Sequence, residues 1–287
     1  VKKFNLMNYQ SILNKYSNIL KYKHFKSSKL DCEILLSHAL KVQREELLIN
    51  LNKKINQHQY KNFKYLFKKR YYKEPIAYIT KQKEFWKSNF YINNSVLIPR
   101  PETELIVEEV LNLLKTKSIY NILDVGTGSG CILISLLKEL KKAKGIGLDV
   151  SKKALKVAKI NAKMQQLENR IKFVHSDVDK FFSNKYDLIV SNPPYIKKCE
   201  IKNLDEDVKK YEPVIALDGG SDGFSGIKKV INNGIRLLKK NGILVLEIAH
   251  NQSNKVKSML IKNNFKNIKI SKDLSGKNRC IVSLKIR

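Results

Sequence analysis

The sequence predicts an α/β chain with a small helical domain over residues 1–80, a β-hairpin over 81–100, and a parallel sheet flanked by helices over 101–287. Three observations carry this. The first 80 residues place apolar side chains at three- and four-residue intervals. From Pro101 onward, short β-branched runs alternate with helical stretches of about 10–15 residues. Apart from Gly126, Gly128 and Gly130, the first 144 residues contain no glycine. At 287 residues the chain suits one large domain, or one of ordinary size with a small companion.

Each element follows from its own stretch. NYQSILNKYSNILK and KLDCEILLSHALK carry apolar stripes at helical spacing, and the long stretch 44–72 continues them until Pro75 closes the block. EFWKSNFYINNSVLIP (84–99) is aromatic and β-branched, with an Asn-Asn turn at 93–94, and predicts a short hairpin. A helix over 102–114 leads to strand NILDV (121–125), one over 130–141 to GIGLDV (145–150), and one over 152–167 to IKFVHSD (171–177). YDLIVSN (186–192), a helix over 225–240, ILVLEIA (243–249) and a helix over 251–263 follow. FKNIKIS (265–271) and RCIVSLKIR (279–287) form a terminal hairpin. Strands separated by helices imply right-handed crossovers and a sheet covered on both faces.

Hydrophobic residues make up 43% and charged residues 29%, which excludes a disordered tail or a fibre. The longest apolar stretches, 131–137 and 243–246, fall far short of the ~20 residues of a membrane span. The opening VKKFNLMNYQ has no apolar run behind its lysines, so neither a secretory signal nor a membrane partner is expected. Four scattered cysteines and five histidines lack disulfide or metal-ligand spacing; the expectation is a cytoplasmic protein without a metal site. The net charge of +30 points toward polyanions, yet only seven of the 56 basic residues are arginine. Arginine is the fork that reads phosphates and base edges, whereas lysine is a diffuse hydrated charge. The excess fits either a functional basic face or the surface an AT-rich genome writes, so charge alone does not identify a partner.

Asp124-Val125-Gly126-Thr127-Gly128-Ser129-Gly130 follows a strand and opens a helix. Alternate glycines let the backbone turn tightly and approach a ligand without Cβ obstruction. Asp149 ends the next strand, where a carboxylate accepts from ribose hydroxyls, and Asp177 ends the third, within reach of an adenine amino group. The spacing is neither the dinucleotide G-x-G-x-x-G nor a Walker loop, which suits a nucleoside without phosphates, S-adenosylmethionine above all. A glycine-rich turn and solvated strand-end acids are the plain alternatives.

Asn192-Pro193-Pro194-Tyr195 ends the fourth strand. Consecutive prolines lack N–H donors and fix φ, so the turn accepts hydrogen bonds and donates few. A planar –NH2 group carries two donors. The Asn192 side-chain oxygen can take one and the Pro193 carbonyl the other, while Tyr195 offers a flat face for stacking. An amide or aryl nitrogen is a weak nucleophile because its lone pair is delocalised. Acceptors set out of plane help it pyramidalise toward a methyl donor, which is positioning plus stabilisation of developing charge. A proline-rich loop after a strand is the plain alternative.

At these residues the sequence resembles the HemK/PrmC family of protein glutamine methyltransferases. EPIAYITKQKEFW (74–86) and LIPRPETE (97–104) look like its interdomain hairpin signature, DVGTGSGCI its cofactor loop, YDLIVSNPPYI its catalytic strand, and SSKLDCEILLSHAL its N-terminal domain. The resemblance implies a helical domain that grips the substrate protein and a seven-stranded, Rossmann-like methyltransferase domain. It also implies methyl transfer to the side-chain amide nitrogen of the glutamine in the GGQ loop of peptide-chain release factors, with S-adenosylhomocysteine as the other product. By position, Gly126, Thr127, Gly128, Ser129, Gly130, Asp149 and Asp177 would hold the donor. Asn192, Pro193, Pro194 and Tyr195 would hold the glutamine, with Asn192 facing both ligands. Arg100 and Glu102 are candidates for the pocket floor or for an interdomain ion pair. LEIAHNQ (246–252) departs from the LEHG or LEIG that relatives often carry.

Three rivals share parts of this pattern. An adenine-amino methyltransferase on DNA or RNA also uses N-P-P-Y, but the 92 residues after Tyr195 are consumed by strands and helices and leave no room for a target-reading domain. No recognisable nucleic-acid module precedes it, so no sequence-specific nucleic-acid partner is expected. A glutamine methyltransferase of a ribosomal protein would share the chemistry. A catalytically silent cofactor-binding scaffold would not need the intact tetrad.

Overall fold

A computed structural model describes residues 7–114, 120–183 and 185–286. Residues 1–6 and Arg287, which the opening stretch and the last expected strand include, lie outside the described residues. The chain divides into two units: Val1–Lys81 with Glu206–Tyr211, and Gln82–Asp205 with Glu212–Arg287.

In the smaller unit, α1 (Tyr9–Tyr22), α2 (Ser28–Leu40), α3 (Arg44–Ile49), α4 (Gln57–Tyr71) and α5 (Ile76–Thr80) join the short helix α9 (Glu206–Tyr211). The stretch 44–72 is therefore two helices. Asparagine competes with helical hydrogen bonding and favours caps, and Asn56 starts α4 with a capping box closed by Gln59. Nor does Pro75 end the block, because it N-caps α5. The core brings Tyr16 edge-on to Phe63 and Phe67, at 4.9 and 4.6 Å between ring centroids. A buried ion pair joins Arg70 to Asp31 at 2.7 Å, and Tyr211 of α9 donates to the Tyr72 carbonyl at 2.8 Å.

The larger unit opens with hairpin β1 (Gln82–Phe85) and β2 (Ser88–Tyr91), whose turn is Trp86–Lys87. The expected Asn-Asn turn does not join these strands. Asn93 instead closes a local turn after β2, accepting from Ser95 N–H through its side chain and from Val96 N–H through its carbonyl. The hairpin is tied to its own unit: Trp86 Nε1 donates to Glu139 at 2.9 Å and Lys138 Nζ to Ser88 Oγ at 2.6 Å.

After α6 (Glu104–Leu113) come β3 (Asn121–Val125), α7 (Cys131–Glu139), β4 (Lys144–Asp149), α8 (Lys152–Met164), β5 (Ile171–His175) and β6 (Tyr186–Ser191). Then follow α10 (Ser225–Leu237), β7 (Leu238–Glu247), α11 (Ser253–Lys262), β8 (Phe265–Lys272) and β9 (Asn278–Lys285). The seven strands run in the order β5-β4-β3-β6-β7-β9-β8, with the first five parallel and β9 antiparallel to both its neighbours. Leu123, Ile189, Leu244 and Leu246 of the central strands are buried against Ile227, Val230 and Ile231 of α10. Burial on both faces explains why these strands read as continuous apolar runs. The chain order reverses between β3 and β6, where open parallel sheets leave a crevice beyond their carboxyl ends. Among the described residues no helix is long and apolar enough to cross a membrane.

Candidate active site

That crevice is a cavity of about 480 Å³ at the carboxyl ends of β3, β4 and β6. Gly126, Thr127, Gly128, Ser129, Asp149, Asp177, Asn192, Pro193 and Pro194 all line it. Residues up to 68 apart in sequence thus meet at one surface, because parallel strands deliver every carboxyl end to the same edge.

The glycine loop is held from behind. Gly126 and Thr127 N–H both donate to the Leu148 carbonyl, at 2.8 and 2.9 Å. Gly126 and Gly128 sit at φ +73° and +56°, and a Cβ built on Gly126 would meet nothing within 4 Å. The room beside it is open for a ligand to approach the backbone. Gly130 differs from its neighbours. At φ +81° it caps α7, and a Cβ there would press on Ile134 and Ala158 at 3.0 and 3.4 Å. It closes the turn against α8 and is not among the residues that line the cavity.

Asp149 presents a carboxylate already ordered by two backbone donors, Gly128 N–H at 2.9 Å and Ser151 N–H at 2.8 Å. Burial nonetheless pushes its pKa up. Each oxygen retains a lone pair for a hydroxyl donor. Asp177 caps the turn at 178–180 by accepting from Asp179 N–H, and it pairs with Lys229 at 2.7 Å, which holds its carboxyl below the usual range. Its cavity position and its capping role coexist. Deeper, Asp124 is fully buried, accepts from Thr127 Oγ1 at 2.7 Å, and leaves Oδ1 without a partner among the described residues. Burial raises its pKa to about 7. The Cys131 thiol, also at the cavity wall, is pushed up to about 12 by burial.

At the corner after β6, Asn192 Nδ2 donates to Thr103 Oγ1 at 3.2 Å. Its Oδ1 takes no hydrogen bond from the described residues, so the side chain keeps an acceptor in hand. Tyr195 does not line the cavity. Its hydroxyl donates to buried Glu247 at 3.1 Å and its ring packs on the sheet core, so the expected stacking face is turned to the interior. Burial, then the Glu247 charge, raise its pKa. Arg100 and Glu102 do not line the cavity either; Arg100 pairs with buried Glu212 inside the larger unit, which also accepts from Ile98 N–H.

Two family models match the chain: a PrmC N-terminal domain over residues 11–80 and a methyltransferase small domain over 103–208. The release factor glutamine methyltransferase of Clostridium acetobutylicum is 36% identical over 97% of this chain and 99% of its own length. This chain belongs to the release factor glutamine methyltransferase family. The family's Caulobacter vibrioides enzyme is 36% identical over 89% of both chains. A bifunctional methyltransferase of Rickettsia typhi is 38% identical over 95% of this chain, which spans 56% of that longer protein. Among solved structures, a methyltransferase from Pyrococcus furiosus aligns with a TM-score of 0.53 at 16% identity, covering 77% of this chain and 98% of its own, which establishes the fold.

Several residues around the site escape sequence reading. Thr103 hides in the PETE run, and the far wall of Val96, Ile215 and Ala216 carries no motif. Asn161 is fully buried on α8 and bridges the Tyr91 backbone to the Ser129 carbonyl. Its signal was present: a polar residue in the apolar stripe of Ala154, Ala158 and Ala162.

Proposed function

We propose that this chain transfers a methyl group from S-adenosylmethionine to the side-chain amide nitrogen of the GGQ glutamine in peptide-chain release factors. The observation that carries the reading is the meeting, in one cavity, of the glycine loop and Asp149 with the acceptor corner of Asn192, Pro193 and Pro194. The residues fit such a donor: open space at Gly126 admits it, and the Asp149 carboxylate lines the same cavity with a free lone pair on each oxygen for ribose hydroxyls. When bound, the donor supplies an electrophilic methyl on a sulfonium, already an excellent leaving group.

The protein supplies aim. Asn192 Oδ1 and the Pro193 carbonyl accept the two amide hydrogens, while Thr103 holds the other end of the Asn192 amide so that its oxygen, not its nitrogen, faces the glutamine. With the donor bound, its methyl carbon would pass from sulfur to the amide nitrogen, which would release one hydrogen as a proton to water. No general base need act first. Gly126, Thr127, Gly128, Ser129, Asp149 and Asp177 hold the donor, and Gly130 supports their loop. Residues 1–80 grip the release factor, 81–100 link the two domains, and 101–287 carry the chemistry. Four unpaired thiols suit a reducing cytoplasm. Nucleic acid is not read by sequence.

Incubation with labelled donor and, separately, release factor, ribosomal protein and bulk nucleic acid tests this. Label is expected in release factor; label only in nucleic acid overturns the reading. Asn192→Ala is expected to keep donor affinity within several-fold and to lose turnover by orders of magnitude. Free glutamine, lacking the partner's binding energy, is expected to be a poor substrate.

A further inference from the structure

The prolines at 193 and 194 fix their own φ angles and leave open where the chain goes next. Tyr195 is held at both of its polar ends. Its hydroxyl donates to Glu247 Oε1 at 3.1 Å, at the carboxyl end of β7. Its carbonyl accepts from Gln252 Nε2 at 3.3 Å, and the same nitrogen donates to the Gly223 carbonyl at 3.0 Å. Gln252 Oε1 in turn accepts from Ala249 N–H at 3.0 Å, so both ends of this buried amide are engaged.

The opposite side of the corner is closed by glycines. A Cβ on Gly219 would stand 2.8 Å from the Tyr195 backbone, one on Gly223 2.8 Å from the Tyr195 carbonyl, and one on Gly226 3.0 Å from Pro194. Backbone bonds from Ile196 N–H to the Leu217 carbonyl and from Gly219 N–H to the Ile196 carbonyl complete the enclosure. Neither Glu247 nor Gln252 lines the cavity, so neither can touch a ligand there. Glu247 is also a poor choice for stability. It is 2% exposed, and its Oε2 finds no partner among the described residues. A buried acid with an orphaned oxygen costs more than an apolar residue of the same size. LEIAHNQ, which carries both side chains, otherwise has no task in the site.

We propose that Glu247 and Gln252 are positioning residues that fix the aim of the Asn192 and Pro193 acceptors by holding Tyr195 at its hydroxyl and at its carbonyl. The inference rests on reading the cavity as the methyl-transfer site. Its signature is a fall in kcat that follows hydrogen-bonding capacity and not stability.

The test compares Glu247→Leu, Glu247→Gln, Tyr195→Phe, Gln252→Glu and the Glu247→Leu/Tyr195→Phe double variant of the full chain. It reads donor Kd, melting temperature, and kcat and KM on purified release factor. Glu247→Leu and Tyr195→Phe are each expected to lose tenfold or more in kcat, with donor Kd and release-factor KM within threefold. Glu247→Gln, whose amide oxygen still accepts from Tyr195, is expected to stay within threefold of wild type. The double variant is expected to lose no more than either single one, since both delete the same bond. Gln252→Glu withdraws both donors and is expected to lower kcat comparably. Full kcat in Glu247→Leu or Tyr195→Phe, losses that add in the double variant, or losses that track melting temperature across the set would overturn the proposal. Should Glu247→Leu not fold, Tyr195→Phe against Glu247→Gln still decides. Wild-type inactivity on release factor is a failure of the functional reading instead, and the same variants are then compared on whichever acceptor takes label.

Discussion

Asn161 joins three pieces of the larger unit that are distant in sequence, and its removal has a calculable effect. Its Nδ2 donates to the Tyr91 and Ser129 carbonyls, both at 2.9 Å, and its Oδ1 accepts from Tyr91 N–H at 2.7 Å. Asn161→Ala strands all three backbone groups. The Ser129 bond is fully buried, and an orphaned buried carbonyl costs about 1–3 kcal/mol. The two bonds at half-buried Tyr91 can be partly replaced by water and add about 0.5–1 kcal/mol each. The expected loss is therefore about 2–5 kcal/mol, a large share of the roughly 5–15 kcal/mol that stabilises a domain. Asn161→Asp keeps the acceptor for Tyr91 N–H but sets a carboxylate oxygen against two carbonyl oxygens, so it is expected to be no more stable than the alanine variant. The single tryptophan, Trp86, sits in the hairpin turn and donates to Glu139, so its fluorescence in a urea titration reports on this unit. An alanine variant within 0.5 kcal/mol of wild type, or an aspartate variant clearly more stable than alanine, would refute the reasoning.

Two further outcomes follow from the loop and the acid beneath it. Gly126→Ala meets no protein atom within 4 Å but is held at φ +73°, so it is expected to cost about 1 kcal/mol of stability while weakening donor binding at least tenfold, read by calorimetric titration. Unchanged donor affinity would remove the loop from the binding site. Asp124 has a folded pKa of about 7 against an unfolded value of about 3.9, so between these values the folded state holds a proton that the unfolded state has released. Its contribution therefore falls as pH rises from about 4 to 7, by at most about 1.4 kcal/mol per pH unit, and levels off above. Asp124→Asn is expected to flatten the decline in urea midpoint between about pH 4 and 7; parallel wild-type and variant profiles would show that the carboxyl does not titrate there.

What could be read in advance was what a residue carries with it. A proline brings its missing donor wherever the chain goes, so Asn192-Pro193-Pro194 announced an acceptor corner without coordinates. Apolar runs named the central strands because burial on both faces leaves an unbroken signal, and Gly126 and Gly128 signalled an open backbone. Hydrogen-bond partners across the chain were hidden. Asn161 answers Tyr91 across 70 positions and Tyr195 answers Glu247 across 52, distances over which no periodicity speaks. The same non-locality moved the hairpin turn to Trp86–Lys87, turned Gly130 toward α8, and gathered Glu206–Tyr211 into the helical unit. Backbone preference and polarity are properties of single residues and were settled by the sequence. Which donor meets which acceptor depends on the folded path, and only the tertiary structure decided it.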